Sequence, residues 1–201
     1  MIVRFRVLIL LAPSLCFGFQ IGSSDQECGK FKKSYKPEQL ISFLTEQRQA
    51  KTDTDCIVFA LKKLGTDMNA PSSAAPLLAE YLDYKRPLTK GEQAGVFLRP
   101  PTISELYPAS SALFAIGKDS LPTLLRVIEN EASSDQKRQN AVFTVMSIFR
   151  EDESLGVRFL RQAAKSAKDP AHSEALRQAA KDALRWCIPE KKAACEAAAA
   201  Q

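Results

Sequence analysis

Histidine is almost absent from this chain: one residue, His172, in 201. That leaves little room for metal or acid–base chemistry built on imidazole. His172 itself follows Asp169-Pro170-Ala171 and falls in the first turn of a helix, where it reads as solvated. No Cys-x-x-Cys occurs, which removes zinc-type spacing and thioredoxin-like redox chemistry. A glycine-rich phosphate loop is also missing, since Gly91 and Gly95 fit neither G-x-G-x-x-G nor a Walker motif. No stretch alternates well enough to read as a strand. Net charge is low, +5, and Arg4 and Arg6 supply two of those charges, leaving +3 without them. So mild an excess argues against a dedicated nucleic-acid binder, which concentrates basic residues on one face. The carboxylate pairs, Glu80 with Asp83 and Glu151 with Asp152 and Glu153, read as exposed helix-face charges and helix N-terminal acids. The residues therefore nominate no catalytic, cofactor-binding or metal-binding set, and an enzyme is not expected.

What is present is a composition of 45% apolar and 25% charged residues, ordinary for a globular chain of one domain. Residues 1–18 begin with Arg4 and Arg6, continue through Val7-Leu8-Ile9-Leu10-Leu11-Ala12, and break at Pro13 before Cys16-Phe17-Gly18. This is the order of a secretory signal peptide, cut after Cys16 or Gly18. The apolar stretch is well short of the roughly 20 residues of a bilayer span, so no transmembrane segment is expected after cleavage and the product is periplasmic or secreted. Four cysteines then remain, Cys28, Cys56, Cys187 and Cys195. In an oxidising compartment they fit two disulfides, and proximity favours Cys28 with Cys56 and Cys187 with Cys195 across a turn at Pro189. Separate buried or free thiols are the alternative.

Residues 19–36 form a basic linker. From Pro37 to Cys187 the pattern is helical throughout, making an all-α domain. Pro37 opens a helix facing inward with Leu40, Ile41 and Leu44. Thr52 or Asp53 opens a second that stops at Gly65 in a left-handed cap. A third starts at Ser72 or Ser73 and ends near Tyr84. Residues 85–104 read as an inserted loop with a helical turn after Thr89. Ala109 to Ile116 is helical, with a stop at Gly117 and a restart at Asp119 or Ser120. Ser133 with Gln136 gives a capping-box pattern, Asp152 opens another helix, and Asp169-Pro170 opens the last. Residues 188–201 are alanine-rich and read as a frayed helical tail.

Internal repetition is visible. Arg138-Gln139-Asn140-Ala141 recurs 39 residues on as Arg177-Gln178-Ala179-Ala180, and Leu64-Gly65 is echoed by Ile116-Gly117. The stretch Ala112-Leu113-Phe114-Ala115-Ile116-Gly117-Lys118-Asp119-Ser120-Leu121-Pro122-Thr123-Leu124-Leu125 resembles the centre of a HEAT-like repeat. The resemblance runs from about Asp53 to Cys187. It implies a short irregular α-solenoid of HEAT-like helix pairs, and an Asp–Arg ladder between units is suggested only around Asp135 and Arg138. A compact irregular helical bundle would use the same apolar stripes.

Repeat architectures work by presenting an extended surface. The resemblance therefore implies an exported, non-catalytic scaffold for a protein or peptide partner in the cell envelope, with no cofactor. Arg126, Arg158 and Arg161 fall outside the apolar sets of their helices and are candidates for a concave basic strip. Phe97, Leu98 and Arg99, before the stiff Pro100-Pro101, are candidates in the loop. Lys30, Lys32, Lys33 and Lys36, interleaved with Phe31 and Tyr35, suggest instead an anionic polymer or membrane surface. An enzyme of unknown reaction on a repeat scaffold is the third reading, because fold alone does not fix chemistry.

Overall fold

The computed structural model describes Cys28, Phe31 and residues 35–66, 70–96 and 99–200, and among them every regular element is a helix. The signal-like segment and Lys30, Lys32 and Lys33 lie outside the described residues.

Helix α1, Pro37–Glu46, starts on proline, and the Gln39 side chain accepts from the Lys36 N–H at 2.9 Å. Leu40, Phe43 and Leu44 are its buried face. Helix α2, Thr54–Thr66, is capped by Asp53, whose carboxylate accepts from the Cys56 N–H at 3.4 Å. It runs through Gly65 instead of stopping there. A Cβ at residue 65 would lie 3.0 Å from the Ala112 nitrogen and 3.1 Å from the Ser111 carbonyl carbon. This glycine is a close-approach residue that lets two helix backbones meet, and the left-handed cap expected there is not formed. Helix α3, Ala75–Ala79, follows a 3-10 turn at Ser72–Ala74 and is shorter than its apolar pattern implies. Beyond it the backbone tightens into i to i+3 bonds, Tyr81 N–H to Leu78 O and Tyr84 N–H to Tyr81 O among them. That tightening accompanies a fully buried Tyr81, whose hydroxyl donates to Leu44 O at 2.6 Å.

The inserted loop is more ordered than its prolines suggest. It holds two one-turn helices, α4 at Lys90–Gln93 and α5 at Ile103–Leu106. They are built on one motif used twice, Arg86-Pro-Leu-Thr-Lys-Gly-Glu92 and Arg99-Pro-Pro-Thr-Ile-Ser-Glu105. In each copy the threonine hydroxyl accepts from the glutamate N–H, the glutamate carboxylate accepts from the threonine N–H, and the arginine forks onto that same carboxylate. The loop's neck is tied as well: Arg86 donates its backbone N–H to Leu106 O at 2.9 Å and its Nε to Glu105 O at 2.6 Å.

Helix α6, Pro108–Ile116, ends at Gly117, whose φ of 72° and ψ of −140° suit glycine alone. A 3-10 turn leads into α7, Leu121–Glu129. Helix α8, Asp135–Ile148, is capped by Ser134, not by Ser133: the Lys137 N–H donates to the Ser134 hydroxyl at 3.2 Å. Gln136 reaches forward to the Asn140 side chain at 3.0 Å and takes no part in a capping box. Helices α9, Glu153–Ser166, and α10, Pro170–Ala183, start on Asp152 and Asp169 as the sequence predicts. Arg138 pairs with Asp135 inside α8 and donates to Ser133 O at 2.7 Å, so this pair belongs to one helix start and makes no ladder between units.

The alanine-rich end is not frayed. It forms α11, Lys192–Ala200, which packs on α9 and buries Cys195 and Ala198. Small side chains allow the close approach, and the Lys191 ammonium donates to Glu151 O at 2.8 Å. Alanine acts as the anchor at this tight contact, although it lacks the large apolar side chain that marks a docking helix in sequence.

Helices α2, α6, α8 and α10 form a row in which each packs on the next. Helix α7 packs on α8 and α10, α9 on α8, α10 and α11, α1 on α2 and α3, and α3 on α6 and α7. The core is a continuous set of buried aliphatic side chains, Leu44, Ile57, Leu61, Leu78, Leu113, Leu124, Leu160 and Leu176 among them. Each contributes about 1.5–3 kcal/mol by leaving water. Cys28 and Cys56 stand at disulfide distance with Cα atoms 4.8 Å apart, and Cys187 and Cys195 likewise with Cα atoms 6.6 Å apart. Beside the first pair Phe31 stacks on Phe59 at 5.7 Å and meets Phe43 edge-on at 5.4 Å, while Tyr35 meets Phe59 at 5.5 Å. The aromatics of the basic run are thus used in packing.

Candidate functional site

Among the described residues, Arg48, Arg86, Arg99, Arg138, Arg177 and Arg185 stand in ion pairs with carboxylates. Arg126, Arg150, Arg158 and Arg161 do not. Arg126 is exposed and contacts its own helix, Pro122 O at 3.4 Å and the Thr123 hydroxyl at 3.5 Å. Arg158 is exposed on α9, and Arg161 is half-buried with its Nε lacking a partner. Arg99 is committed to Glu105, while Phe97 and Leu98 lie outside the described residues.

Arg150, which no motif in the sequence singles out, marks a concavity. A cavity of about 320 Å³ opens between α5, α6 and α8, lined by Ser104, Ser110, Ser111, Phe114, Phe143, Ser147 and Arg150. Helical spacing explains the convergence. Ser110, Ser111 and Phe114 share one face of α6, Phe143 and Ser147 are four apart on α8, and Arg150 follows one turn later. The Arg150 guanidinium sits 5.3 Å from the centre of the Phe114 ring, a cation–π contact. Phe143 is held edge-on by Trp186 at 5.1 Å.

The hydroxyls of this pocket differ. Ser147 donates to Phe143 O at 2.9 Å and Ser111 to Ser104 O at 3.5 Å. Ser110 is 1% exposed, and its hydroxyl has no hydrogen-bond partner. An orphaned buried hydroxyl costs roughly 1–3 kcal/mol. Mostly apolar walls beside an exposed cation without a counter-ion make a place where a ligand has something to gain.

Other candidates are used structurally. A dent of about 450 Å³ at Gln47, Thr52, Asp53, Thr54 and Asp55 surrounds the start of α2, where Asp53 caps and the Gln47 side chain accepts from Thr52 and the Asp53 N–H at 3.3 Å. Glu80 is forked by Arg48, and Asp83 accepts from the Ser134 hydroxyl at 2.9 Å. Glu153 is buried with its carboxylate within 4.8 Å of the Cys187 and Cys195 sulfurs and accepts from the Ile188 N–H at 3.3 Å. Sulfurs joined to each other offer no thiolate to a metal. His172 is half-buried in the first turn of α10.

Two carboxyls of the loop are held far below their ordinary range. Glu92 is held at about 2, first by the Arg86 hydrogen bonds and then by the Thr89 N–H. Glu105 is held at about 2 by the equivalent Arg99 and Thr102 contacts. Both serve to fix the loop beside α5 and so the rim at Ser104.

No family model matches the chain, and neither does any curated protein or solved structure.

Proposed function

We propose that the chain is an exported, non-catalytic helical scaffold that holds a protein or peptide partner at the pocket between α5, α6 and α8. The observation that carries the reading is a mostly apolar cavity beside Arg150, a cation that no carboxylate among the described residues neutralises. Such a site suits recognition: aromatic walls for an apolar side chain, and a few polar groups to orient it. The row α2, α6, α8, α10 supports a HEAT-like stacking of helix pairs, and Arg126, Arg158 and Arg161 add unpaired positive charge for a wider contact. Two cysteine pairs at disulfide distance fit an oxidising compartment, and no described helix is long and apolar enough to cross a membrane.

Selection of a displayed peptide library on the oxidised domain tests the reading. Enriched peptides should bind the wild type and lose at least tenfold on Ser147→Phe, which fills the cavity while leaving the melting temperature within a few degrees. Peptides that bind both proteins equally, or a library that yields none, would move the function elsewhere.

A further inference from the structure

We infer that this pocket selects a carboxylate carried on an apolar body, supplied either by a free aryl or alkyl acid or by the C-terminus of a polypeptide whose last side chain is large and apolar. The inference rests on the binding reading above and adds the chemistry of the group that is bound.

Charge decides the class. Among the described residues Arg150 is the sole charged one lining the cavity, and no described carboxylate pairs with it. A guanidinium stays ionised and presents a planar fork that matches the two oxygens of a carboxylate. One such group neutralises a monoanion. A phosphate monoester, carrying nearly two charges, would require a second cation, and the described lining holds one. The exposed Arg150 guanidinium lies 5.3 Å from the centre of the Phe114 ring, a cation–π contact that favours keeping it at the cavity. Phe114 and Phe143 leave an apolar space for what the carboxylate is attached to. At about 320 Å³ the cavity accepts a single ring with a short linker, or one terminal residue.

Two matched probe pairs test this on the full oxidised protein by calorimetry. The first is 3-phenylpropanoate against 3-phenylpropanamide, the second N-acetyl-Ala-Phe with a free carboxylate against its C-terminal amide. Each pair keeps shape and removes charge. Trp186 is the only tryptophan and touches the pocket's Phe143, so its emission gives a second readout of occupancy. The acid of at least one pair should bind ten times more tightly than its amide. Arg150→Gln should abolish that preference by weakening the acid alone. A preference confined to the first pair identifies a small-molecule acid, one confined to the second a polypeptide terminus, and each supports the inference. Equal binding of acid and amide, an Arg150→Gln protein that holds the acid as tightly as wild type, or no binding of any probe overturns it. Selected peptides that need the cavity yet ignore the carboxylate would overturn it and leave partner binding standing. Acids that bind while no peptide does would leave it standing and remove partner binding.

Discussion

Two small residues make opposite demands around α6. Ser110 is a polar atom set where nothing meets it, so Ser110→Ala removes a desolvated donor at almost no cost in volume. Urea unfolding should show the ligand-free variant more stable by about 1 kcal/mol, the lower end of the orphan penalty. Gly65 is the reverse case. An alanine inside a helix ordinarily gains up to about 1 kcal/mol over glycine. Here its Cβ would meet the backbone of Ser111 and Ala112 at about 3 Å, and a packed backbone yields less readily than a side-chain tip. Overpacking of this kind costs about 1–3 kcal/mol, so Gly65→Ala should lower stability by about 1 kcal/mol net, read from the same unfolding curves. Neither role was legible from single residues. Leu64-Gly65 resembles Ile116-Gly117 in sequence, yet only Gly117 takes the positive φ, because what differs is a neighbouring helix distant in the chain. Arg150 escaped notice for a like reason: it gains meaning only where Phe114 and Ser110, some forty positions earlier, come alongside.

At the scale of elements, helix starts were readable because a cap is made by neighbours in sequence: Asp53, Thr89, Asp152 and Asp169 act where local spacing puts them. The doubled Arg-Pro-x-Thr-x-x-Glu motif is local in the same way, but its prolines and glycine mask the two helical turns that it caps. Its two copies differ in burial. The Arg86 and Glu92 side chains are 9% and 15% exposed, those of Arg99 and Glu105 62% and 42%. Removing one partner of a buried pair leaves a stranded charge, so Glu92→Ala should cost about 3 kcal/mol. Glu105→Ala, at the water-exposed copy, should cost within about 1 kcal/mol. Acid sensitivity follows with a definite sign. Glu92 titrates near 2 in the folded chain against an ordinary 4.5, so its contribution is complete above about pH 4.5 and disappears as pH falls through about 2. Acid titration monitored by circular dichroism should therefore show a shallower loss of stability across that window in Glu92→Ala than in wild type.

For the whole molecule, the cysteine pairs join each end of the domain to its body. The 28-residue separation of Cys28 and Cys56 exceeds the 8 of Cys187 and Cys195. Chain entropy then assigns the first bridge about 3.5 kcal/mol and the second about 2.5 kcal/mol. Replacing Cys28 and Cys56 by serine should lower the melting temperature more than replacing the other pair, and non-reducing peptide mapping should recover these two linkages. The all-α class was legible from periodicity alone, whereas the docking of α11 was not, because alanine announces no anchor in sequence and acts through how near it lets a backbone come. The tied neck of the inserted loop has a further bearing. Since Arg86 clasps Glu105 and Leu106, the entropy of closing this excursion is met at its base. Each doubling of the chain beyond the clasp should then cost only about 0.6 kcal/mol. Near Val96, 76% exposed, the polypeptide is a natural place to graft a reporter domain or to open new termini by circular permutation, with the helices behind it left undisturbed.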